Sequence, residues 1–144
     1  MADGLRIVRT FPVPPERVWE AWTDPDQFAE WWGTDAVWVP TDSVALDVRE
    51  GGEWRAVMHL PEQAGTLAWV GEYTVVAPHE RLVFTLSDDE PDPRRDTVTV
   101  DLRPVDGGTE MTVSQLGGGL TSVGYDEAAA GYQGFFDTMA TLFG

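Results

Sequence analysis

Residues 11–33 read FPVPPERVWEAWTDPDQFAEWWG, and this stretch decides the fold. It parses as a strand end, a short helix, an Asp-Pro break, a second short helix and a glycine stop. Pro14 and Pro15 suit the first turn of a helix, where a missing N–H costs nothing. Val18 and Trp22 then lie four apart on one face, with Trp19 beside them. Asp24 can cap the next helix, with Pro25 at its first position. Phe28, Trp31 and Trp32 give that helix a wide aromatic side, and Gly33 ends it. Four of the seven tryptophans therefore fall within this one segment.

Outward from there the pattern changes to period two. Leu5 to Phe11 alternates as a first strand. A strand is expected around Val44–Val48, and Gly51-Gly52 signals a hairpin. Trp54, Ala56, Met58 and Leu60 share one strand face; Glu53, Arg55, Val57 and His59 share the other. Leu67–Val76 is the next strand, with Leu67, Trp69, Gly71, Tyr73 and Val75 on one side. Pro78-His79-Glu80 turns into Arg81–Ser87, and Asp88–Arg95 reads as a Pro-broken loop. Asp96–Leu102 sets Val98, Val100 and Leu102 against its polar residues. Asp106-Gly107-Gly108 is a further hairpin turn. Met111, Val113 and Gln115 then alternate with Thr112, Ser114 and Leu116, and Gly117-Gly118-Gly119 ends the sheet. From about Asp126 to Leu142 the period is helical, with Tyr132, Phe135, Phe136, Met139 and Phe143 on one broad face.

This order predicts one α+β domain over residues 1–144. A curved antiparallel sheet of six or seven strands is wrapped on a long C-terminal helix, with two short helices after the first strand. A strongly curved sheet closed by one helix leaves a space between them.

Several blocks also carry a family resemblance. The opening segment, LDVREGGEWRAVM (46–58), GEYTVVAPHERLVFTL (71–86), GGTEMTVSQLG (107–117) and GYQGFFDTM (131–139) occur in this order. Together they resemble the activator of heat-shock-protein-90 ATPase homologue family, of the START-like or SRPBCC superfamily. That resemblance implies a helix-grip fold with a ligand-binding pocket and leaves the activity open.

Composition narrows the function classes. The 144 residues include 42% hydrophobic ones and no cysteine, so disulfides and thiolate metal sites are excluded. No apolar run approaches the roughly 20 residues that span a bilayer. The start, MADGLRIVRT, lacks the layout of a secretory signal, so a cytoplasmic protein is expected. The net charge is −16, and all nine basic residues are arginine. Such a surface repels phosphate backbones and anionic membranes.

The candidate site is the aromatic and Met set. Trp31, Trp32, Trp54, Met58, Trp69, Tyr73, Phe84, Gln115, Tyr132, Phe136 and Met139 are expected to face the space between sheet and helix. They either fill it as a core or line a partly open cavity with a few polar groups aimed inward. Gly131 and Gly134 interrupt the covering helix, as if something bulky approached there. Gln115 ends an otherwise apolar row, where a buried amide needs a partner. Neither His59 nor His79 has metal-ligand spacing to a second histidine, and no nucleophile elbow or phosphate loop occurs. No catalytic residue, metal or cofactor is expected. Arg49 and Arg55 either pair with Glu50 and Glu53 across the hairpin or guard a pocket mouth.

Three functions compete. One is a module binding a small apolar or aromatic molecule. Another is a cyclase- or dehydratase-type enzyme, as the resemblance implies, with Glu72, Tyr73, Gln115 and Tyr132 as its polar groups. The third is a heat-shock protein 90 co-chaperone, suggested by the family name alone, since this chain matches just one domain of the eukaryotic activators. No nucleic acid or membrane partner is expected, and homodimerisation is left open.

The charge gives a direct test. At physiological ionic strength a gel shift with duplex DNA or single-stranded RNA should show no complex at micromolar protein, because a surface of charge −16 opposes the phosphates.

Overall fold

The computed structural model describes residues 4–32, 39–59, 65–86, 96–116 and 122–143. Gly33, Trp38, Leu60, the 88–95 loop and Gly117–Gly119 lie outside the described residues, as does the Leu67 side chain. Seven strands run in the order β1-β7-β6-β5-β4-β3-β2, each antiparallel to its neighbours. They are β1 Gly4–Phe11, β2 Ala45–Leu46, β3 Glu53–His59, β4 Thr66–Ala77, β5 Arg81–Leu86, β6 Asp96–Val105 and β7 Gly108–Leu116. The helices are α1 Pro15–Thr23, α2 Pro25–Trp31 and α3 Ser122–Leu142, with a short 3-10 turn at Thr41–Ser43.

The opening segment folds as its sequence dictates. Pro15 stands at the first position of α1. Asp24 closes α1 and caps α2, its Oδ1 accepting from the Asp26 N–H at 3.0 Å. Gln27 adds a second bond to the Asp24 carboxylate at 3.2 Å.

The sheet's two faces separate cleanly. Trp54, Ala56 and Met58 are buried on β3, and Val98, Val100 and Leu102 on β6. Gly107, with φ 78°, supplies the left-handed position of the β6–β7 turn. Gly71 is needed for a different reason. It sits opposite Trp54 in the β3–β4 register, and the Trp54 indole crosses it to donate to the Thr85 carbonyl at 2.8 Å. A Cβ at residue 71 would lie 2.4 Å from Trp54 Nε1 and 1.7 Å from the Thr85 oxygen. Beyond it the β4–β5 register shifts between Tyr73 and Val75.

The covering layer differs from the expectation that α3 alone closes the sheet. α3 packs on β1 and α2, while α1 packs on β6 and β7. Trp22 of α1 and Trp31 of α2 are fully buried, so the short helices fill part of the interior. α3 also begins at Ser122, a turn earlier than Asp126. Tyr125 holds that extra turn by donating from its hydroxyl to Asp96 Oδ1 at 2.8 Å. At the other end Arg17 donates to the Leu142 carbonyl at 2.9 Å and lies 5.0 Å from the centre of the Phe143 ring. Arg9 reaches from β1 to Gln133 Oε1 and Asp137 Oδ1 at 2.9 and 3.0 Å. The Arg9–Asp137 pair is exposed at its acid and contributes about 0.2–1 kcal/mol.

Three expectations need correction. Gly131 is exposed and a Cβ there would meet nothing within 4 Å, so it marks no close approach. Arg49 pairs with Asp47 at 2.9 Å rather than with Glu50. Arg55 and Glu72 are exposed, on the strand parity opposite to Trp54 and Tyr73. Neither residue faces the interior.

Two stability measurements follow. Asp24→Ala should lower unfolding free energy by about 0.5–2 kcal/mol through loss of the cap. Gly131→Ala should raise it by about 1 kcal/mol, since the helix gains a better former and the methyl meets open space. Denaturant midpoints of the two variants should therefore move in opposite directions.

Candidate functional site

α2 ends where the interior is most aromatic, because their i, i+3, i+4 spacing puts Phe28, Trp31 and Trp32 on one side of the helix. Trp32 is the hub. It stacks on Phe28 at 4.9 Å, and meets Trp54 at 5.8 Å, Trp69 at 5.9 Å, Phe135 at 5.4 Å and Tyr132 at 6.2 Å between ring centres. Trp31 lies 4.5 Å from Trp22 and 6.1 Å from Phe136. Phe84 touches Trp54 at 5.4 Å and Tyr73 at 6.1 Å. Tyr132 stacks on Phe136 at 5.5 Å. Thus Trp31, Trp32, Trp54, Trp69, Tyr73, Phe84, Tyr132 and Phe136 form one ring network joining α2, α3 and the inner sheet face. Met58 and Met139 are buried in the same core.

Gln115 joins this network to a buried polar chain. Tyr132 donates its hydroxyl to Gln115 Oε1 at 2.6 Å, and Gln115 Nε2 donates to Asp96 Oδ2 at 2.5 Å. Tyr125 donates to the other Asp96 oxygen. Gln115 and Asp96 are 3% and 5% exposed, so these bonds form away from water, where each is strong and its loss costly. Burial, with the charge of Asp96 adding to it, pushes the Tyr132 hydroxyl well above the usual tyrosine range. Tyr132 is therefore a neutral donor throughout the physiological range. Tyr73 is raised as well, by burial first and then by Asp47. Its hydroxyl feels a carboxylate beyond β2, and strands β5 and β6 separate its strand from Gln115 on β7.

The indole N–H groups of Trp22, Trp31, Trp32, Trp54 and Trp69 divide into two sets. Those of Trp22, Trp31 and Trp54 donate to Met111 Sδ at 3.3 Å, the Ala21 carbonyl at 2.7 Å and the Thr85 carbonyl at 2.8 Å. Those of Trp32 and Trp69 are buried and, among the described residues, meet no acceptor. A buried donor left unpaired costs about 1–3 kcal/mol.

Sequence reasoning missed Asp96, Tyr125, Trp22, Phe28 and Phe135 as members of this region. Parity carries the signal for Asp96, which falls in step with Val98 and Val100. Tyr125 stands seven residues before Tyr132, two helical turns, and so shares its face. The histidines stay apart from the site. His59 is half-buried near the end of β3, and His79 sits in the β4–β5 turn at φ 68°, edge-on to Trp19 at 6.0 Å. Among the described residues no group of three or more His, Asp or Glu is placed to hold a metal ion.

Known proteins place this arrangement. No curated protein matches the chain. Among solved structures, a protein of Chromobacterium violaceum is 26% identical, with a TM-score of 0.87, 97% of this chain and 96% of that one being covered. The AHSA1 protein of Silicibacter pomeroyi is 24% identical over 97% of this chain and 96% of its own, with a TM-score of 0.84. These likenesses agree with the helix-grip architecture of a curved antiparallel sheet closed by a C-terminal helix. The family model for Activator of Hsp90 ATPase homolog 1-like protein matches residues 12–144, and the chain belongs to that family.

Proposed function

We propose that this protein binds a small, mostly apolar or aromatic molecule between the inner sheet face and α3. The observation that carries the reading is the Tyr132–Gln115–Asp96 chain, a row of hydrogen-bonded polar groups in an otherwise aromatic interior. A few convergent polar groups in an apolar enclosure are the usual form of a small-molecule site. Trp31, Trp32, Trp54, Met58, Trp69, Tyr73, Phe84, Gln115, Tyr132, Phe136 and Met139 form the contact set of this reading. The family's SRPBCC-type fold supports it as well.

The same polar chain favours a second reading, an enzyme of cyclase or dehydratase type. There Tyr132 would hold a proton near a reacting group while the enclosure orients the substrate. Glu72 drops out of that reading because it faces water. Tyr73 stands at a distance from Gln115 in the sheet order. A co-chaperone role rests on the family's name and draws on no feature of this interior. A cytoplasmic setting and a homodimer are compatible with the binding reading. Among the described residues no helix is long and apolar enough to cross a membrane.

The test uses an uncharged probe, because a protein of charge −16 repels anionic dyes. N-phenyl-1-naphthylamine should bind and quench tryptophan fluorescence. Met139→Trp should abolish that binding while lowering stability by no more than about 1–3 kcal/mol, since an enclosure with room accepts volume that a filled core does not. A wild-type protein that takes up no probe, together with a severely destabilised Met139→Trp, would sink the reading.

A further inference from the structure

The two unpartnered indoles specify the ligand further. Trp32 stands at the end of α2 and is 1% exposed; Trp69 stands on β4, packed against the same core. Their rings meet at 5.9 Å and 89°. In a perpendicular pair the edge of one ring addresses the face of the other. At most one of the two N–H groups can rest on its neighbour's π surface, and that contact is weak. Trp32 also has Phe28 stacked on it at 19°, which occupies one of its faces. Trp22, Trp31 and Trp54 each have an acceptor from the protein: a thioether, or a backbone carbonyl. Trp32 and Trp69 thus carry two buried donors on neighbouring rings, with no acceptor among the described residues.

Resting on the binding reading above, we infer that Trp32 and Trp69 are the polar anchor of the site, and that their ligand is an aromatic or apolar molecule bearing a neutral oxygen acceptor. A ketone, aldehyde, quinone or ester carbonyl satisfies this. A carbonyl oxygen has two lone pairs and can take one N–H on each. The surrounding rings match a flat apolar body attached to that carbonyl. A carboxylate fits poorly. The protein carries a charge of −16, and the nearby polar chain ends on Asp96, whose two oxygens already accept from Gln115 and Tyr125. A hydrocarbon would leave both N–H groups bare, a difference the site can use to discriminate.

A pair of isosteric probes tests this. In 2-acetylnaphthalene a C=O stands where 2-isopropenylnaphthalene has C=CH2, with the same outline. Displacement of N-phenyl-1-naphthylamine from the wild-type protein should be about tenfold tighter for the ketone, the size expected of hydrogen bonds to buried donors. 2-Naphthoate should bind more weakly than the ketone. In Trp69→Phe, whose indole is only partly enclosed, the ketone's preference should shrink toward parity while the affinity of the alkene is kept. Trp32→Phe should do the same, and if it fails to fold, the wild-type comparison and Trp69→Phe still decide. On addition of the ketone, two of the indole N–H resonances should move downfield in ¹⁵N–¹H spectra, and the alkene should leave them in place. Equal displacement by ketone and alkene, or displacement by neither, overturns the assignment while the dye-binding site stands. Tighter binding of 2-naphthoate overturns the choice of a neutral acceptor. A protein that takes up no N-phenyl-1-naphthylamine at all removes the binding reading with it.

Discussion

The Trp31 indole donates to the carbonyl of Ala21, and much of this molecule depends on that bond. It ties α2 back onto α1 across the Asp24-Pro25 break and fixes the angle between two helices that are too short to be stable alone. With the angle fixed, Trp22, Phe28, Trp31 and Trp32 all enter the space between sheet and α3. They meet Phe84 from the sheet and Phe135, Phe136 and Tyr132 from the helix. The large apolar area of these rings is the main source of cohesion, and their edge-to-face geometry orients them. The curved sheet is therefore closed by three helices acting together.

Within that interior the polar groups are few and arranged in order. Tyr132 donates to Gln115, Gln115 to Asp96, and Tyr125 to Asp96 from the first turns of α3. The chain fastens the start of α3 to β6 and β7, as Arg17 and Arg9 fasten its end to α1 and β1. It also supplies polarity in an enclosure that would otherwise hold only rings and methyl groups. The indole N–H groups of Trp32 and Trp69, which meet no acceptor among the described residues, lie on the side of the interior built by α2 and β4. The buried polar atoms of the interior thus form two sets, one bonded into a chain and one not.

The strongly acidic composition acts on the outside of the molecule. Charged residues such as Glu53, Arg55 and Glu72 alternate outward along β3 and β4, while Trp54, Ala56 and Tyr73 turn inward. Most arginines with a partner in the structure pair with acids at the surface, at Asp47, Asp101 and Glu110. These pairs add little stability. The surplus of acid remains as a negative field around the molecule, which repels anions.

The sequence by itself determined the element types, their order and the inward face of nearly every strand. Proline placement, glycine turns and the change from period two to period 3.6 are local signals, and local sterics enforce them. It also brought Gln115 and the aromatic set to notice, because a polar residue in an apolar row is visible in one dimension. Tertiary structure alone decided three matters. Gly131 faces open space and Gly71 lies under an indole, although both are single glycines within a regular element. Asp96 is buried because Tyr125 and Gln115, 29 and 19 residues away, supply its donors. Among the described residues Trp32 and Trp69 meet no acceptor where Trp22, Trp31 and Trp54 have one. Each of these depends on which atoms meet across elements distant in sequence, and a pattern of residue types carries no information about the reach of one indole N–H.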